Sequence, residues 1–288
     1  MMGRMPSDSP YTDLLRLPPG AVDLRELPTD ATPGYDGNKK SGKADLWAIG
    51  EELFDLQQRL FAGKDDGQRA VLLVLQGMDT SGKGGTLKHT VGLVDPQGVK
   101  ITSFKAPTKE ELSHDFLWRI RKALPGPGVI GVFDRSHYED VLIVKVRELV
   151  SAEEVDRRYD AINEFEAELV ESGTTLVKCM LHISPDEQKA RLLARLDDPT
   201  KYWKYNPGDL AERARWGDYR AAYEVALERN NTEAAPWHVI PSDRKWYRNL
   251  AVGQLLLETL RRLDPQWPPA DFDVEAERQQ LLAQEIVA

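Results

Sequence analysis

Gly77, Met78, Asp79, Thr80, Ser81, Gly82 and Lys83 fall in the order G-x-x-x-x-G-K, the opening of a phosphate-binding loop. Glycines let the backbone curl so that several N–H groups point inward. A helix that follows presents its positive end, and a lysine reaches the transferable phosphate. Gly84, Gly85 and Thr86 carry the loop into that helix. Gly84 stands where Ser or Thr would offer a hydroxyl to magnesium, so Asp79, inside the loop, becomes the candidate metal ligand.

The second candidate group is D-R-S-H-Y-E-D-V, Asp134 to Val141. Asp134 follows an apolar run, the place where loop-containing phosphoryl-transfer enzymes hold magnesium; the alternative is a carboxylate that caps the next helix. Arg135 reads as a phosphate clamp or a surface ion-pair partner. His137 reads as positional, since transfer from one phosphate to another needs no general base. Arg191 and Arg195 lie on one helical face, and Lys201 and Lys204 follow. These four cations suit a mobile basic lid, with a helix solubilised by surface arginines as the alternative. Asp79 and Asp134 would hold one or two magnesium ions, while Lys83, Arg135 and Arg191 neutralise the phosphoryl group in flight.

The elements that must position these residues are legible as periodicities. Val71 to Leu75 reads as a strand buried on both faces, with further strands at Val99–Phe104, Val129–Phe133, Thr174–Ile183 and Pro236–Pro241. Helices are expected at 44–61, after the loop, at 108–124 behind a Thr108/Glu111 capping box, at 153–171, from Ser184 and Pro185 onward, at 209–230 and at 243–263. Trp216, Tyr219 and Tyr223 read as packing more than as a stacking platform. This alternation predicts a three-layer α/β/α domain with a doubly wound, mainly parallel five-stranded sheet of the P-loop kinase type. Its expected extent is 43–263, with a helical lid at about 184–230. Residues 1–42 are proline-rich and read as an extended arm, draped over the domain or partly disordered, and 264–288 as a polar tail. Lys39 to Lys43 reads as a solvated linker, with a phosphate-chain contact as the minor alternative.

Composition sets the outer bounds. The 288 residues are 41% hydrophobic and 30% charged, with a formal net charge of -9. That balance is globular and argues against a nucleic-acid-coating protein. No apolar run approaches the roughly 18 residues of a membrane span, and the N-terminus lacks an apolar signal core, so a cytoplasmic protein is expected. The single cysteine, Cys179, sits in an apolar run and reads as a small buried hydrophobe.

Taken together, G-M-D-T-S-G-K-G-G, D-R-S-H-Y-E-D-V and E-Q-x-x-R-x-x-x-R-x-D-D-P-x-K-x-W-K resemble the polyphosphate kinase 2 family. T-S-F-K-A-P-T and A-P-W-H-V-I-P-S-D-R-K-W-Y extend the resemblance over roughly residues 43 to 263. It implies transfer of phosphate from inorganic polyphosphate to nucleotides (ADP and AMP, giving ATP and ADP), with magnesium, or manganese in its place, beneath a helical lid. It also implies a homodimer or homotetramer. Asp79, Lys83, Asp134 and Arg135 match the family's loop and metal-site residues, and Arg191 a lid arginine. S-H-Y-E-D-V is similar to the subgroup that accepts both AMP and ADP. Position 84 is often Asp in similar loops, and position 134 can be Asn. A long anion needs a groove of cations, for which Lys83, Lys105, Arg119, Arg135, Arg191, Arg195, Lys201 and Lys204 are the candidates. The rival readings are an ATP-dependent small-molecule kinase and a non-catalytic nucleotide- or polyphosphate-binding regulator.

Overall fold

Strand β1 (Ala70–Gln76) explains the architecture, because every one of its residues is buried. Alternate side chains go to opposite faces. Leu72 and Val74 enter one apolar cluster, and Val71, Leu73 and Leu75 enter the other. A strand that feeds two cores needs helices on both sides, hence three layers. A computed structural model describes residues 9–65 and 67–284. The sheet runs β2-β3-β1-β4-β5, with β2 at Val99–Ser103, β3 at Ile130–Asp134, β4 at Thr174–His182 and β5 at Trp237–Pro241. Every pairing between these strands is parallel. The register sets Leu75 beside Asp134, and Asp134 beside Ser103, so the glycine loop and the acidic strand end leave the same edge.

The helices, in chain order, are α1 (Tyr11–Leu15), α2 (Lys39–Ala48), α3 (Gly50–Ala62), α4 (Lys83–His89), α5 (Trp118–Ala123), α6 (Ile143–Val146), α7 (Ala152–Glu171), α8 (Pro185–Leu196), α9 (Asp209–Ala214), α10 (Trp216–Arg229), α11 (Lys245–Leu263) and α12 (Val274–Ala283). Phe165 of α7 and Tyr223 of α10 fill the first core; Leu53 of α3 and Leu256 of α11 fill the second. Lys178 of β4 is wholly buried and donates to Glu166, Tyr138 and the Asn230 carbonyl, at 2.6, 2.9 and 2.7 Å. Burial alone would raise the Glu166 carboxyl, but Lys178 and His137 overcome it and hold it below its usual value. Among the described residues no helix is long and apolar enough to cross a membrane. Cys179 is buried, as its apolar surroundings imply, and burial pushes its thiol far above the usual value.

Several expectations are corrected. Lys39–Lys43 is no linker: Asn38 caps α2 there, its side chain accepting from the Lys40 and Ser41 N–H groups. The helix expected at 44–61 is two helices that meet at Ile49, and the one expected at 209–230 is interrupted at Arg215. In 108–124 the capping box forms, Thr108 N to Glu111 Oε2 at 2.6 Å and Glu111 N to Thr108 Oγ1 at 3.2 Å. It nevertheless opens only a single 3₁₀ turn, in which Leu112 is 68% exposed. The arm, where described, is draped over the domain. Leu17 N donates to Trp237 O of β5, Tyr11 and Thr12 bind Glu258 of α11, and Asp243 pairs with Thr29 through both backbone and side chain.

Candidate active site

Between β1 and α4 the chain turns through Gly77 (φ +149°), Thr80 (φ +64°) and Gly82 (φ +113°). Arg135, directly after β3, has φ +64° as well. Left-handed backbone at two non-glycine residues is costly and is held by its surroundings. Lys83 Nζ donates across the turn to Gly77 O at 2.8 Å, and the Tyr223 hydroxyl receives Gly77 N–H at 3.1 Å. Thr80 Oγ1 and Ser81 Oγ are buried without a hydrogen-bond partner.

The charges gather here. Arg135 Nη2 lies 3.2 Å from Asp79 Oδ1. Asp134 accepts from Ser103 Oγ at 3.2 Å, and Glu139, in the 3₁₀ turn after Arg135, accepts from Gln76 at 3.3 Å. Burial works against the Arg135 charge, yet Glu139, Asp79 and Asp134 outweigh it and strengthen its hold on the proton. Lys83 goes the other way: burial, with Arg135 beside it, lowers its pKa although the same three carboxylates oppose the shift. Burial raises the Glu139 carboxyl despite Arg135 and Lys83. Asp79 and Asp134 thus act on the same two cations.

A divalent metal is implied by this chemistry, and the donor set suits one. Two hard carboxylates, Asp79 and Asp134, act on Lys83 and Arg135, and Glu139 adds a third carboxyl to the same group. Magnesium commonly takes one or two carboxylates and completes its shell with water and substrate phosphates. Among the described residues no three His, Cys, Asp or Glu side chains form a closed metal cage. Such a cage is not what this mode of binding requires.

The basic residues divide. Lys83 and Arg135 face the loop. Lys105 and Arg119 line a separate cavity of about 470 Å³ with Ser103, Lys100 and Lys122, joined to the first group through the Ser103–Asp134 bond. Arg119 is largely buried, spent on Asp140 and on the Lys105 carbonyl, so it braces that cavity. Arg195, Lys201 and Lys204 turn to partners inside the expected lid: the Lys204 carbonyl and Asp209, Asp198, and the Trp203 ring. His137 is fully buried against Glu166, away from the loop.

Arg191 requires the largest correction. Nε donates to Glu187, Nη1 to the Thr80 and Ser81 carbonyls at 2.7 and 2.9 Å, and Nη2 to the Ser242 and Asp243 carbonyls. All the N–H groups of a guanidinium are used, leaving none for a phosphate. Arg191 pins the back of the loop to the end of β5. Gln188, one turn earlier, donates to Asp79 O at 3.1 Å and receives Arg213 at 2.8 Å. Sequence reasoning missed Ser103, Glu139 and Gln188, and it left Tyr223 to packing. Only the position of Glu139, just beyond the acidic strand end, carried a usable signal.

With the geometry in view, three comparisons bear on it. The sequence profile of the polyphosphate kinase 2 family matches residues 36–268. An AMP/ADP-polyphosphate phosphotransferase of Meiothermus ruber is 45% identical over 251 residues, 87% of this chain and 93% of that protein. An ADP-polyphosphate phosphotransferase of Rhodopseudomonas palustris is 41% identical over 273 residues, 91% and 92% of the two chains. The crystal structure of a polyphosphate kinase 2 from Arthrobacter aurescens superposes with a TM-score of 0.93 at 56% identity, covering 96% of this chain and 98% of that one.

Proposed function

Because the chain belongs to the polyphosphate kinase 2 family, we propose that it moves the terminal phosphoryl group of inorganic polyphosphate to ADP, giving ATP, and to AMP, giving ADP. The observation that carries this reading is the meeting of Lys83, Arg135, Asp79 and Asp134 at one loop, inside the span matched by the family. A terminal phosphate oxygen of the nucleotide attacks the end phosphorus, the P–O bond to the next phosphate breaks, and the polymer leaves one unit shorter. Attacking and leaving groups are both phosphates, so no side chain has to take a proton. Lys83 and Arg135 supply the cations that hold and neutralise the moving group.

Magnesium, or manganese in its place, would be held by Asp79 and Asp134. When bound it would neutralise negative charge on the phosphate groups. Acceptance of both AMP and ADP rests on S-H-Y-E-D-V and on the similarity to the Meiothermus ruber protein. We extend the reading to a cytoplasmic homodimer or homotetramer, for which the exposed Trp47 and Phe54 on α2 and α3 are the supporting surface. Light scattering on the purified chain tests it.

The decisive assay supplies ADP, magnesium and polyphosphate with no other phosphate source. ATP must appear, and replacing ADP by AMP must yield ADP. An ATP-dependent metabolite kinase and a non-catalytic binder would both produce nothing.

A further inference from the structure

Behind the glycine loop lies a charge that the site as described does not use. Arg248 of α11 is 2% exposed. Its guanidinium lies against residues 82–85. A Cβ added at Gly82 would stand 1.6 Å from Nη1, and one at Gly85 2.5 Å from Nη2. Nη1 donates to Ser81 O at 3.1 Å, while Nε and Nη2 donate to Asn249 Oδ1 at 3.2 and 2.8 Å. One N–H on each terminal nitrogen lies outside these bonds.

Each of those acceptors is neutral. Burial, and after it the neighbouring cation Arg191, lower the guanidinium's pKa to about 9, which leaves it protonated at neutral pH; Lys245 is a further cation that feels its charge. Arg191 differs, because Glu187 pairs with it at 2.6 Å. A buried cation without a counter-anion is costly and persists where something else supplies the anion. The absence of side chains at Gly82 and Gly85 lets this one approach the loop backbone directly.

We propose that Arg248 is a positioning residue whose missing counter-anion is the phosphate held in the loop. It acts from behind the backbone, uncompensated in the free protein and compensated when polyphosphate binds. The inference rests on the function proposed above and deepens it. Because the charge acts on bound phosphate throughout the reaction, its removal raises KM and spares kcat.

Asn249→Asp tests this without removing the arginine. A carboxylate in place of the amide oxygen gives Arg248 an internal partner and withdraws its charge from the ligand. Inorganic tripolyphosphate, with magnesium, is titrated into wild type, Asn249→Asp, Arg248→Met and Arg248→Lys, and the thermal midpoint of each free protein is measured. The expected result is a midpoint held or raised in Asn249→Asp, with binding weakened about tenfold. KM for polyphosphate should rise about as much, with kcat within about twofold. Arg248→Met should show the same loss of binding, and Arg248→Lys, which keeps the charge but not the forked contacts to Asn249 and Ser81, should lose less than Arg248→Met. Wild-type affinity in Asn249→Asp overturns the proposal. So does a fall in midpoint, binding and kcat together, which marks a structural brace. Wild type that neither binds tripolyphosphate nor makes ATP removes the functional reading, and this proposal with it. Where wild type does both, the variants alone decide the role of Arg248.

Discussion

Arg135 Nη2 and Asp79 Oδ1 stand 3.2 Å apart, joining the end of β3 to the middle of the glycine loop while both side chains stay roughly two-fifths open to solvent. An ion pair that exposed adds about 1 kcal/mol at most to stability. Its value is therefore positional. It fixes a carboxylate where a divalent ion and phosphates can reach it. Asp79→Asn should lower polyphosphate-dependent ATP formation by at least about a hundredfold while moving the unfolding free energy by less than about 1 kcal/mol. Parallel assay and urea titration check both; near-normal turnover would remove Asp79 from the site.

Arg191→Met should behave differently. The substitution leaves the carbonyls of Thr80, Ser242 and Asp243 without their donor, leaves Ser81 O to Arg248 alone, and strands Glu187. Loss of a buried, fully engaged guanidinium costs about 3 kcal/mol or more, and the unpinned loop loses activity with it. A phosphate clamp would lose activity at unchanged stability. Urea unfolding beside the assay separates the two.

Arg191 also shows where sequence reading stops. The pattern that ends at Asp134, an apolar run closed by an acid, is local, and a mainly parallel sheet follows from strands buried on both faces; both were legible, whereas strand order and register were not. Ser184 and Pro185 opened α8 as expected for the same local reason. Spacing by four put Arg191 and Arg195 on one helical face, but which way that face looks is decided by the packing of α8 against the loop. Tyr223 and Arg248 reach the loop from 146 and 167 residues away, contacts that exist only once the sheet order is known. The segment 108–124 misled for another reason: a Thr108/Glu111 box satisfies the same donors in a 3₁₀ turn as in a longer helix.

Neighbouring glycines of the loop should respond in opposite ways. A Cβ at Gly84 meets nothing within 4 Å, whereas one at Gly85 would stand 2.5 Å from Arg248 Nη2. Gly84→Ala lies in the first turn of α4 at a helical position, so it should stabilise by about 0.5–1 kcal/mol through the unfolded chain. Gly85→Ala must displace a packed guanidinium and should destabilise by about 1–3 kcal/mol. Thermal unfolding of both variants checks the ordering; equal effects would mean that Arg248 does not press on the loop.

Acid sensitivity should trace in part to His238 of β5. It is 4% exposed, its Nδ1 lies 3.2 Å from the Lys178 carbonyl, and burial lowers its pKa from 6.5 to about 4. Above the higher value neither state holds the proton. Below it the unfolded chain takes a proton that the folded protein refuses until the pH nears the lower value, so stability falls as pH falls through that window. Between pH 7 and pH 5 the expected loss from this residue is about 2 kcal/mol. His238→Asn keeps a donor toward the Lys178 carbonyl but cannot titrate. It should be less stable than wild type at pH 7, through lost packing, and should then lose about 2 kcal/mol less between the two pH values. Urea unfolding of both proteins at pH 7 and pH 5 measures the difference, and parallel losses would show that His238 takes up its proton in the folded state as readily as in the unfolded chain.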